Sequence, residues 1–94
     1  MDNESPKVAP VPGVFIREEL EKRNWTQEDL ANILGRPLAV VSRIITGKTS
    51  ITPDTALELA GALGRPAEFW LNAEAAYQLS RADKPIDSVR RRAY

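Results

Sequence analysis

Apolar residues recur three and four positions apart along most of the chain, and the breaks between these runs fall at glycine, asparagine and proline. From residue 13 to 23, Phe15, Ile16 and Leu20 share one side, while Arg17, Glu18, Glu21 and Lys22 take the other. That spacing predicts an amphipathic helix, which Asn24 ends. Leu30, Ala31 and Leu34 make a second stripe and Val41, Ile44 and Ile45 a third. Ala56, Leu59, Ala60 and Leu63 line a fourth helix that stops at Gly64. A fifth opens at Pro66 and carries Phe69, Trp70, Ala73, Ala76, Tyr77 and Leu79. Start signals agree with these spans. Thr26 is placed as an N-cap, Pro37 fits the first turn of the third helix, and Thr52-Pro53-Asp54 combines a cap, a proline at N1 and a first-turn acid. Trp25, just before its cap, is expected to staple onto the turn that follows. Five short-linked helices predict an all-α domain over residues 13–82, with Leu20, Leu30, Ala31, Leu34, Val41, Ile44, Ala60 and Leu63 buried together.

The segment 26–47 is the most informative. Its two short helices are apolar only where crossed helices would touch. Ala31 is small where the second helix must approach, and Gly35 sits where the chain reverses and positive φ favours glycine. This is the sequence form of a helix-turn-helix, a module whose second helix enters the DNA major groove.

Composition narrows the chemistry. Cysteine and histidine are both absent, which removes disulfides, thiolate metal sites and the commonest general base. Glu18, Glu19, Glu21, Glu28 and Asp29 lie among lysines and arginines, and we read them as solvated surface charge, so no enzymatic role and no cofactor or metal is expected. No apolar run approaches the ~18 residues of a membrane span. The N-terminal segment has no apolar signal core, and a cytoplasmic location follows as the expectation. The formal net charge is zero, yet Arg36, Arg43 and Lys48 occupy a stretch from 36 to 51 without any acid. Five bases against two acids follow from Arg81 onward. Distribution matters more than the sum for a DNA reader, and scattered solubilising charge is the competing explanation. Residues 1–12, with Pro6, Pro10 and Pro12, read as a flexible arm, and residues 83–94 as a basic tail that touches DNA or stays mobile.

From Pro12 to about Ala82 the chain resembles lambda-repressor-like regulators, and among them the antitoxin branch typified by HigA and VapI proteins. Pro12-Gly13, Leu20, Thr26-Gln27-Glu28-Asp29-Leu30-Ala31, Ser42-Arg43-Ile44-Ile45, Gly47-Lys48, Ile51-Thr52-Pro53, Ala60, Leu63-Gly64 and Phe69-Trp70-Leu71-Asn72 carry the resemblance. It implies a five-helix fold in which Thr26 and Gln27 pin a phosphate at the start of the second helix, where free amides favour an anion. Lys48 and Thr49 would reach backbone phosphate, contacts that orient without choosing sequence. Arg36, Leu38, Ala39, Ser42, Arg43 and Thr46 complete the DNA-binding set, with Arg43 directed to a guanine.

Two departures stand out. The third helix opens on Pro37-Leu38-Ala39-Val40, where the family is usually polar, and these residues offer only contact with thymine methyls. Arg36 takes a turn position that is more often apolar. Phe69, Trp70 and Leu71 together span roughly 200° of the fifth helix, more than one face buries in its own domain. Packing within the monomer, cover by the tail and a second subunit are the three ways to bury them. The resemblance implies the last, a homodimer through Phe69, Trp70, Ala73 and Tyr77, bound to a palindromic double-stranded operator and partnered by a HigB-like toxin. An N-terminal part of a longer regulator, or a protein-interaction module without base reading, is the alternative.

Overall fold

A computed structural model describes residues 9–82. They form five α-helices in the order α1 (Gly13–Arg23), α2 (Gln27–Leu34), α3 (Leu38–Ile45), α4 (Pro53–Leu63) and α5 (Ala67–Arg81), with no strand among the described residues. The all-α expectation holds, element by element. Asn24 ends α1 in the left-handed region at φ 59°, the conformation a short polar side chain tolerates best after glycine. Thr26 caps α2 through a reciprocal box: its hydroxyl accepts from the Asp29 amide at 3.0 Å, and its own amide donates to Asp29 Oδ2 at 2.8 Å. Gly35 stops α2 at φ 69°. Pro37 is the N-cap of α3 and not part of its first turn, with extended ψ of 146°. Thr52 caps α4 by accepting from the Thr55 amide, and Pro53 stands at N1.

The core is Ile16, Leu20, Leu30, Ala31, Val41, Ile44, Ile45, Ile51, Ala56, Leu59, Leu63 and Trp70. Leu34 and Ala60, expected within it, are only half-buried. Trp25 is also half-buried, and the Arg23 guanidinium lies 5.4 Å from its ring centroid. Where α1 meets α3 the backbones themselves touch. A Cβ on Gly13 would land on the Ile45 carbonyl, so this crossing admits only glycine.

One boundary differs from the sequence reading. Pro12 is fully buried and its carbonyl accepts from the Phe15 and Ile16 amides, while the Val11 carbonyl accepts from Val14. Residues 11 and 12 therefore belong to the domain, not to an arm. Residues 1–8 and the basic tail 83–94 lie outside the described residues.

Glu19 also departs from the expectation. It is a buried carboxylate, 5% exposed, and not surface charge. It accepts from Arg23 Nη1 at 2.7 Å, from Arg65 Nε at 2.6 Å and from Lys22 Nζ at 3.3 Å. The Arg23 guanidinium foremost, then Arg65 and Lys22, hold its carboxyl down to about 2 from the usual 4.5, against burial that pushes the other way. Arg23 continues to the Leu63 carbonyl at 2.8 Å, where α4 ends with unpaired carbonyls. Arg65 lies 4.5 Å from the Phe69 ring centroid. One acid thus ties α1 to the turn between α4 and α5.

Candidate nucleic-acid interface

The α2–α3 corner is fixed by apolar packing of Leu30 and Ala31 against Val41, Ile44 and Ile45. One side-chain bond spans it. Ser42 Oγ donates to Gln27 Oε1 at 3.2 Å, joining the start of α2 to the middle of α3. Gln27 and Ser42 are both half-buried. In front of them α3 presents Leu38, which is 45% exposed, with Ala39 and Arg43 exposed one helical turn apart. Arg43 has no ion-pair partner among the described residues. Thr46, also exposed, turns its hydroxyl back to the Ser42 carbonyl at 2.9 Å.

Flanking α3 on one side is the capped start of α2. Thr26 Oγ1 takes the Asp29 amide, and the amides of Gln27 and Glu28 have no protein acceptor among the described residues. On the other side α3 ends in a Schellman turn at Gly47, φ 82°, with the Lys48 amide donating to the Arg43 carbonyl and the Gly47 amide to that of Ile44. Lys48 and Thr49 emerge from it exposed.

The loop behind them is anchored from α5. Glu74, buried, accepts the Ile51 amide on Oε1 at 3.0 Å, and its Oε2 accepts from Gln78 Nε2 at 2.6 Å. Gln78 also donates to Ser50 Oγ at 3.3 Å. Neither Glu74 nor Gln78 was expected at the site. Their only sequence signal is a spacing of four on α5, which points them to one side but names no loop as partner.

Three expected site residues stand elsewhere. Arg36 forms a bidentate pair with Glu58, Nε to Oε1 at 2.7 Å and Nη2 to Oε2 at 2.8 Å. The acid-free stretch is therefore acid-free in sequence only, because α4 brings a carboxylate to it. The Arg36 guanidinium holds the Glu58 carboxyl below its ordinary value. Trp70 is 0% exposed in its own chain, so it is core and takes no place on an interface; three consecutive apolar residues are accommodated because the middle one points fully inward. Its indole N–H is buried with no acceptor among the described residues. Tyr77 packs its hydroxyl end toward Gly47, with Arg81 5.2 Å from its ring centroid. Phe69 and Ala73 remain at the surface, half-buried, and line a shallow apolar groove with Pro10, Phe15 and Ala76.

Two short helices locked at a fixed corner, with an uncovered second helix flanked by free amides and a basic loop, define a DNA-reading helix-turn-helix. The chain belongs to the helix-turn-helix family whose model matches residues 16–70. It is 34% identical over 83 residues to an HTH-type transcriptional regulator of Escherichia coli, YddM, covering 88% of each chain. Among solved structures it is similar to an addiction-module antidote protein of the HigA family from Coxiella burnetii, at 39% identity and a TM-score of 0.73, covering 79% of this chain and 82% of that one. A Pseudomonas aeruginosa antitoxin HigA solved with the higBA promoter superposes with a TM-score of 0.71 at 27% identity, covering 77% and 79%. No helix among the described residues is long and apolar enough to cross a membrane.

Proposed function

We propose that this chain is a DNA-binding transcriptional repressor that acts as the antitoxin of a HigBA-type module and autoregulates its own operon as a homodimer. The observation that carries the reading is the uncovered strip of α3, Leu38, Ala39 and Arg43, held between the α2 amides and the Lys48-Thr49 loop. A relative of the same fold was solved on its promoter, which supports the same use of this surface. Lys48 and Thr49 contact phosphate, Gln27 and the first amides of α2 receive another, and Arg43 reads a base. Arg36 is a structural residue in this scheme. The Phe15–Phe69–Ala73–Ala76 groove is the surface on which two copies pair, and the paired reading helices address half-sites about one helical turn, ~34 Å, apart, as dimeric helix-turn-helix proteins do. The protein works in the cytoplasm beside its operator and catalyses nothing.

Fluorescence anisotropy against the native upstream fragment and a scrambled one tests the proposal. Specific binding, with Lys48→Ala weakening all sequences alike and lowering the salt slope by about 1, supports it. Equal binding of both fragments at physiological salt removes the sequence-specific repressor. Co-expression with the neighbouring small protein tests the toxin: a stable complex and relief of growth arrest are expected, and failure of both leaves a plain regulator.

A further inference from the structure

Base recognition by hydrogen bonds needs side chains with unspent donors or acceptors, and the structure leaves few on the reading surface. Ser42 is bonded to Gln27, Thr46 is turned back on the α3 backbone, and Arg36 is closed on Glu58. Arg43 alone on α3 keeps uncommitted side-chain donors among the described residues. The N-terminal end of the helix, the part that goes deepest in a major groove, carries instead an apolar corner of Leu38 and Ala39. Leu38 is 45% exposed and no element of its own domain covers it, so water meets an isobutyl group at the tip of the reader.

We infer that Leu38 and Ala39 are specificity-determining residues that read C5-methyl groups of pyrimidines. The operator half-site therefore places thymine opposite the start of α3, next to the base pair contacted by Arg43. The inference rests on the repressor reading above and gives it a chemical rule. The C5 methyl is the one apolar group a base pair shows in the major groove, and it distinguishes thymine from cytosine without any hydrogen bond. Ala39 lies four residues before Arg43 on the same strip, so the two readers address adjoining base pairs, while Leu38 lies one turn before Ser42, the residue bonded to Gln27. A cytosine carrying a C5 methyl satisfies the same corner; an unmodified one does not.

The test removes methyl groups from the DNA and leaves every hydrogen-bonding atom in place. Thymines of the native upstream fragment are replaced one at a time by deoxyuridine, and affinity is read by anisotropy with wild-type protein, Leu38→Ala and Arg43→Ala. At one thymine per half-site the wild type should lose about fourfold, and about 15-fold with both half-sites changed, the worth of one buried methyl on each side. Leu38→Ala should be indifferent to the same substitution, whereas Arg43→Ala should keep the full sensitivity. Leu38 is exposed, so the variant's unchanged thermal melt can be verified beside the titration. Wild-type protein that prefers the native fragment over a scrambled one, yet binds the deoxyuridine series equally well, overturns the methyl reading and leaves the repressor standing. Loss of preference for the native fragment itself strikes the repressor reading instead.

Discussion

Around the α2–α3 corner, uncharged side chains cap backbone groups or, as Ser42 and Gln27 do, bond each other, while Arg43 and Lys48 stand in solvent. At the junction of α1, α4 and α5 a buried carboxylate, Glu19, gathers three cations, Lys22, Arg23 and Arg65, in one place. The first arrangement leaves charges free for a partner. The second consumes them within the fold. Arg36 belongs to the second kind although it lies in the chain between helices of the first, because Glu58 on α4 reaches it. This contrast explains how a chain of 13 bases and 13 acids can still carry a basic reading surface. Lys22, Arg23, Arg36 and Arg65 are matched by Glu18, Glu19 and Glu58, whereas Arg43 and Lys48, on or just beyond the exposed helix, have no ion-pair partner among the described residues, a state they share with Arg17 on α1 and Arg81 on α5.

The largest test falls on Trp70, which the contrast assigns to the core and not to a partner surface. Trp70→Ala should cost about 3–5 kcal/mol of stability, as for other fully buried aromatic truncations, measured by urea denaturation. Phe69→Ala, at the half-buried groove, should change sedimentation more than it changes the unfolding midpoint. A Trp70→Ala protein with wild-type stability that fails to associate would reverse the two roles.

How much of this was visible in the amino-acid order depends on the range of each interaction. Helix ends at Asn24, Gly35 and Gly64, the Thr26 and Thr52 caps, and most of the core were legible, because caps and periodicity are set within a few residues. The Glu19–Arg65 and Arg36–Glu58 pairs were not. They join residues 46 and 22 positions apart, and nothing local distinguishes a carboxylate that will be buried from one that will be solvated. The same limit hid Glu74. Of the proposed site, the outward positions Leu38, Ala39 and Arg43 follow from helix spacing and Lys48 and Thr49 from the family resemblance, whereas the partners that engage Ser42 and Arg36 lie 15 and 22 positions away and carry no local signal.

Glu19→Gln probes the inward-facing half of the contrast. It keeps the shape and removes the charge that three cations share, and should cost about 2 kcal/mol at neutral pH, the scale of a hydrogen bond to a charged group. Acid titration sharpens the result. Since the folded-state carboxyl lies at about 2 and the unfolded one at the usual 4.5, its contribution is fully present above about 4.5 and fades as pH falls toward 2. Glu58, held low by Arg36, adds a loss of the same sign. Thermal melts of Glu19→Gln should therefore show a flatter acid limb than wild type. Identical limbs would mean that Glu19 is solvated after all.

The smallest effect is expected at Arg36. Arg36→Ala should lower the melting temperature by less than Glu19→Gln does and leave the salt dependence of DNA binding unchanged, because its guanidinium is already neutralised. Arg43→Ala should do the reverse, with an intact melt and about tenfold weaker discrimination at one base pair per half-site. A drop of about 1 in the salt slope for Arg36→Ala would return this residue to the phosphate contacts.

The Glu74 carboxylate sets a practical limit on how the molecule can be divided. The family match ends at residue 70, and a fragment cut there would contain both helices of the reading corner. It would also lack the acceptor for the Ile51 amide and the amide group that steadies Ser50. Ile51 is 4% exposed, so its N–H would be left buried and unpaired, a loss of about 1–3 kcal/mol, directly behind the basic loop. The smallest autonomous reader therefore extends at least through Gln78, and excised versions, grafts or fusions joined earlier in α5 inherit a loosened loop however well their two crossing helices are preserved.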